Sequence, residues 1–173
     1  MAGELSWDHL VEDIPATGLT VERTADLEER LALAAALDLL GVPLLEARYQ
    51  ITPQSLNRYT LTGELKAILE QTCVVTLEPV RSEIAETFVA TYWPAEAMPE
   101  PAKGQVALNG EPDPEAIVGG SIDVGRIVFE SLAAAIDPFP RQPGAVFEGP
   151  LSTPQGQKRE SPFAVLANLK AKR

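Results

Sequence analysis

The sequence predicts an α+β fold: an antiparallel meander sheet, curling toward a partly closed barrel, packed against two main helices. Three observations carry this. Residues 43–52, 59–66 and 83–92 alternate apolar and polar side chains, the period of a half-buried strand. Residues 26–40 and 121–136 repeat apolar side chains at helical spacing behind a capping residue. Hydrophobic residues make up 45% and charged residues 23%, so the chain can fill a core. At 173 residues it needs no disulfide or metal to fold, and its one cysteine supplies no disulfide framework.

Residues 1–20 read as a loose arm anchored by Trp7 and Leu10, followed by a short strand at 20–23. Asp26 caps the first helix, 26–40, and Glu29 three residues on completes a capping box. Leu27, Leu31, Ala34, Ala35 and Leu39 form its apolar stripe, and Gly41 and Pro43 end it. In the next run Leu45, Ala47, Tyr49 and Ile51 alternate with Glu46, Arg48 and Gln50. Residues 53–58 form a hairpin loop, and Tyr59, Leu61, Gly63 and Leu65 mark a second strand that continues to Thr72. Pro79 argues against a central strand at 73–80, so a turn is placed there. Ile84, Phe88, Ala90 and Tyr92 mark the third strand of the meander.

Residues 94–114 hold five prolines with Glu96, Glu100, Glu111 and Asp113, too few apolar groups to offset ordering. A mobile acidic loop is expected, with 105–108 against the sheet edge. Gly119-Gly120-Ser121 is a turn feeding a cap, and Asp123 caps the second helix, 121–136. Ile122 and Ile127 can staple its entry, and Val124, Ile127, Val128, Leu132 and Ile136 form its stripe. Pro138 and Pro140 stop it. Residues 141–160 read as a Pro/Gly-rich linker to a short C-terminal helix opening at Ser161-Pro162, all within a single domain, 1–173.

Charge narrows the chemistry. Net charge is −11, and residues 1–115 hold 7 basic and 20 acidic side chains. A chain this acidic is no general nucleic-acid binder, because such binding neutralises phosphates. Solubility accounts for the charge most simply. The sharper reading is an acidic face for a basic protein, with the tail residues Lys170, Lys172 and Arg173 reaching RNA. No phosphate-binding glycine loop is present. His9, in the arm, reads as a surface residue. Cys73 reads as a small apolar residue, with no basic neighbour in sequence to lower its pKa. Two such residues do not make a zinc site. No catalytic residue, metal, cofactor or small-molecule substrate is expected. Nor is a membrane span or secretory signal, so the expected location is the cytoplasm.

Three segments then resemble one family. They are Cys73-Val74-Val75-Thr76-Leu77-Glu78-Pro79-Val80 with the strand ending at Tyr92; Ser121 to Leu132 with Asp137-Pro138-Phe139-Pro140-Arg141; and Ser161-Pro162-Phe163-Ala164-Val165-Leu166. Their order and spacing resemble the YceD family, whose first motif often reads Cys-x-Arg-Cys-Leu-x-Pro-Val. Cys73, Leu77 and Pro79 match it, as do Asp123, Pro138 and Pro140 in the second motif. Val75 stands at the arginine and Thr76 at the second cysteine, so a metal or redox role of that pair does not carry over. The resemblance implies a role in making or maintaining 23S rRNA of the large ribosomal subunit. It leaves three readings: a non-catalytic factor binding a ribosomal protein or rRNA-processing factor; a processing enzyme or its activator; a structural partner unrelated to ribosomes. The sequence favours the first. Candidate contact residues are Glu78, Arg81, Arg126, Arg141 and the tail.

Overall fold

Two long alternating runs dictate the centre of the molecule. In the computed structural model, which describes residues 5–98 and 113–146, they form adjacent antiparallel strands. Met1–Gln142 make one compact unit and Pro143–Arg173 a second, of which only 143–146 are described. Every strand and helix of the described residues lies in the first unit.

Numbered along the chain, the strands are β1 (Asp8–Leu10), β2 (Leu19–Thr24), β3 (Gly41–Gln54), β4 (Arg58–Thr72), β5 (Pro79–Pro94), β6 (Glu115–Ile117) and β7 (Ser121–Asp123). The main sheet runs β2-β3-β4-β5-β6. Its first four strands are antiparallel neighbours, the expected meander with β2 added. β6 pairs in parallel with β5 at three positions only. The expected barrel is not formed: the sheet is open. Closure needs tilted strands paired edge to edge, and a three-residue strand at one end of β5 offers no such edge. β1 and β7 form a separate two-stranded sheet.

The hairpin between β3 and β4 is tighter than its six-residue allowance. Pairing persists to Gln54↔Arg58, leaving Ser55–Asn57, where Leu56 and Asn57 turn the chain in the left-handed region. Along β3 and β4 the odd residues face the core, from Leu45 to Ile51 and from Tyr59 to Leu69, as the alternation requires.

Helix α1 (Leu27–Ala36) has the expected capping box. Glu29 N donates to Asp26 Oδ1 at 2.9 Å and Asp26 N to Glu29 Oε2 at 3.0 Å. Its end is earlier than expected: Asp38 takes a positive φ, and Gly41 opens β3 instead of ending the helix. Its buried face also differs. Leu33 and Ala34 are buried, while Leu27 and Leu31 are 65% and 62% exposed. The alanine- and leucine-rich helix offers two apolar faces, and packing on β3 selects one.

The N-terminal arm is the largest correction. Leu5, Trp7 and Ile14 of it belong to the core. Trp7 is wholly buried and Leu5 nearly so, whereas Leu10 is half exposed. Trp7 Nε1 donates to Glu29 Oε1 at 2.9 Å, and Val124 N donates to the Trp7 carbonyl at 3.2 Å. β1 follows and pairs with β7 from Asp8↔Asp123 to Leu10↔Ser121. His9 is therefore no loose surface residue. Its Nε2 lies 2.8 Å from Tyr49 Oη, and burial, with the Arg23 charge second, holds its pKa below the ordinary value.

Helix α2 (Val124–Ala135) packs on β5 and β4. Asp123 caps it, accepting from Arg126 N at 2.9 Å. Val124, Ile127, Val128 and Leu132 are buried as the stripe predicts. Tyr92 Oη donates to the Asp123 carbonyl at one end, and Gln71 Nε2 to the Asp137 carbonyl just past the other. No helix among the described residues is long and apolar enough to cross a membrane.

Of the 94–114 loop, Pro94 belongs to β5 and 95–97 form a short 3-10 turn. Residues 99–112 lie outside the described residues, as do those of the expected C-terminal helix, most of the expected 141–160 linker, and Lys170, Lys172 and Arg173.

Candidate functional site

β4 ends at Thr72 and β5 begins at Pro79, so six residues must reverse the chain. Cys73 N donates to the Glu78 carbonyl at 2.8 Å, and Leu77 N to the Cys73 carbonyl at 3.0 Å. Leu77 takes a positive φ and its side chain is 76% exposed. The sulfur sits inside this turn. Cys73 Sγ accepts from Val75 N and Thr76 N, each at 3.4 Å.

The stretch after α2 then closes over it. Val74 N donates to the Pro140 carbonyl at 2.9 Å, and Gln142 N reaches Cys73 Sγ at 3.4 Å. Gln142 Nε2 donates to the Pro79 carbonyl at 3.2 Å. Gln71, the one buried polar side chain among the described residues, ties Asp137 to β4 and accepts from Ser82 Oγ. Phe139 N donates to Asp137 Oδ1, setting the bend before Pro140, which is buried. Residues more than sixty positions apart thus become one knot, tied by one main-chain pair and by the Cys73, Gln71 and Gln142 side chains.

The knot alters the thiol. The Thr76 hydroxyl, then the Thr76 amide, with the Gln142 and Val75 amides, favour the thiolate over the opposing effect of burial. The pKa falls from an ordinary 9.0 to about 6. No cation is involved, so the absence of basic residues next to Cys73 in sequence does not foretell the shift. The stabilisation is fully present above pH 9 and is lost as pH falls through about 6. Thiolate absorbance near 240 nm is expected to titrate with a midpoint near 6. The signal should vanish in Cys73→Ser, and a midpoint above 8 would contradict the hydrogen-bonded thiolate. Cys73 is wholly buried. Its sulfur is therefore built as an acceptor within the fold. Among the described residues no group of three His, Cys, Asp or Glu side chains could hold a metal.

Glu78, whose carbonyl is bonded in the turn, and Arg81 and Arg141, each within two residues of a bonded position, have exposed side chains around it. Arg126 is not with them. It lies in the first turn of α2, beside Tyr92, at the opposite end of the β4–β5 ladder. Its guanidinium is paired to Glu115 at 3.1 Å and Glu130 at 2.8 Å, which raises its pKa. Two carboxylates already neutralise it, so it is a weak contact candidate. Leu77, Pro79 and Pro138 are exposed parts of the knot, and Asp123 serves as the helix cap. Gln71 and Gln142 were missed. Gln71 alone left a signal, a polar residue in the inward phase that runs Leu65, Ala67, Leu69.

No curated protein and no solved structure matches the chain. The model of the YceD family, large ribosomal RNA subunit accumulation proteins, matches residues 61–170. That span holds both segments of the knot and the last three strands of the main sheet in part or whole. With most of its length so matched, the chain belongs to the YceD family.

Proposed function

We propose that this protein is a non-catalytic adaptor in the biogenesis of the large ribosomal subunit. It supports synthesis, processing or accumulation of 23S rRNA by holding a basic ribosomal or rRNA-processing protein. The observation that supports this best is the use to which the motif residues are put. Cys73 and Pro140 are spent on hydrogen bonds and burial inside the fold, and Asp123 on capping α2. What the knot presents outward is a rim with Glu78, Arg81 and Arg141. A rigid turn with charged side chains suits recognition of a partner.

Sucrose-gradient profiles of cells lacking the protein, probed for precursor and mature 23S rRNA, test the reading. Loss of mature 23S rRNA with a depleted large subunit is expected, and normal profiles would overturn it. The variant Glu78→Arg reverses the exposed charge of this rim that a basic partner would meet. It should fold with a melting temperature near that of the parent and fail to restore the profile. Incubating the pure protein with precursor rRNA tests the non-catalytic part, which cleavage sensitive to a chelator would refute.

A further inference from the structure

We propose that the outer edge of β5, from Arg81 to Val89, takes an extended lysine- and arginine-rich segment of a partner protein as an added strand. The edge itself follows from pairing. β4 covers one side of β5 along its length, from Thr72↔Pro79 to Tyr59↔Tyr92. β6 covers the other side only at Tyr92, Trp93 and Pro94.

The phase of the hydrogen bonds says which groups are free. Cys73 N bonds the Glu78 carbonyl, and Leu40 N bonds the Glu70 carbonyl on the opposite side of β4. Odd residues of β4 therefore bond even residues of β5. Arg81, Glu83, Ala85, Thr87 and Val89 point their N–H and C=O groups outward. Among the described residues no hydrogen bond reaches them. All five side chains are exposed.

Proteins ordinarily blunt such an edge with proline, charged side chains, a bulge or a short strand. Between Arg81 and Val89 there is no proline and the β4–β5 register runs without a shift, so charge is the guard here: Arg81, Glu83 and Glu86, with net negative sign, which a strand of positive charge offsets. Val89, 61% exposed on the solvent face, is placed to pair with a side chain of an added strand. Strand addition supplies affinity through main-chain bonds and specificity through alternate side chains.

Charge selects the occupant. Glu83 and Glu86 lie on β5, and Glu64 and Glu70 stand opposite Thr87 and Arg81 on β4; these four carboxylates outnumber the two cations of the stretch, Arg81 and Lys66, which stands opposite Ala85. The whole chain carries −11. A second copy would bring the same charge and the same glutamates to the edge, whereas a basic strand meets complementary charge. The basic partner rests on the adaptor reading; the open edge does not.

The test uses the full chain and a labelled nine-residue peptide alternating Lys or Arg with Val or Thr. Binding is read by fluorescence anisotropy and by amide hydrogen exchange. The amides of Glu83, Ala85, Thr87 and Val89 are expected to exchange fast in the free protein. The basic peptide should slow them at least about ten-fold, by the main-chain bonds of an added strand. A Glu-for-Lys/Arg peptide should leave them unchanged. Ala85→Pro removes only an outward N–H and should weaken binding about ten-fold or more at unchanged fold. Glu83→Lys/Glu86→Lys, which leaves the backbone alone, should weaken it as well. Amides already protected in the free protein, or a dimer dispersed by Ala85→Pro, would show the edge taken by this chain or a second copy and overturn the proposal. Peptide binding that neither variant weakens would overturn it too. Edge binding in a protein whose loss leaves rRNA profiles normal would support the edge and refute the ribosomal role alone.

Discussion

Replacing Trp7 with alanine is expected to lower the unfolding free energy by about 3–5 kcal/mol, the usual cost of emptying a core position of a large aromatic. Trp7 is wholly buried, its indole N–H is bonded to Glu29, and the Arg23 guanidinium lies 5.5 Å from its ring centroid. Its carbonyl accepts the first amide of α2. Alanine removes the ring that holds α1 and the N-terminal segment together. It also takes away one of the donors that fix Glu29, loosening the capping box. Against a typical total of about 5–15 kcal/mol this is a third or more of the stability. Urea denaturation followed by circular dichroism measures it. Leu10→Ala, a few residues on and half exposed, should cost less than about 0.5 kcal/mol. Equal losses at the two sites would mean that the N-terminal segment is not part of the core.

Gly125→Ala should destabilise where helix propensity alone predicts a gain. Gly125 lies in the first turn of α2, and alanine there favours a helix by about 1 kcal/mol. A Cβ at this position would collide with the Leu5 carbonyl, a main-chain atom that cannot swing aside. Overpacking of this kind costs about 1–3 kcal/mol. The melting temperature should therefore fall. Gly41→Ala, where the nearest atom lies 3.5 Å from the new methyl and belongs to the flexible Glu70 side chain, should show no such drop. A rise in Gly125→Ala would place the Leu5 backbone elsewhere.

These two positions mark where the sequence was hard to read. β3, β4 and β5 were legible because a period-two pattern has one physical solution when a single face is buried. The capping box at Asp26 and Glu29 and the cap at Asp123 were legible because each uses side chains within one helical turn. The packing of α1 was not, since Leu27 and Leu33 lie on different faces of a helix apolar on both. Trp7 reads as an anchor, but its partners at Glu29 and Val124 leave no local trace. The candidate site was half legible. The motifs at 73–80 and 137–141 could be found singly, yet their union is made partly by the main-chain groups of Val74 and Pro140, which carry no sequence signal, and partly by Gln71 and Gln142, whose partners are carbonyls more than sixty residues away. Arg126 was a reasonable contact on composition. Glu130, one helical turn on, was the visible hint that it was already paired.

The pairing of β1 with β7 sets a timetable for synthesis. Asp8 and its partner Asp123 lie about 115 residues apart in the chain. At roughly 5–20 residues per second, the N-terminal strand waits about 6–23 seconds for its neighbour to be translated. Trp7 waits equally long for the amide of Val124. The β3–β4 and β4–β5 hairpins need no such delay and can form in order as they emerge. Leu5 to Leu10, made well before their partners, are thus among the last residues to settle. Until then the nascent chain trails Leu5, Trp7 and the underside of its sheet exposed, so crowded translation, not the finished fold, is its period of greatest risk of aggregation.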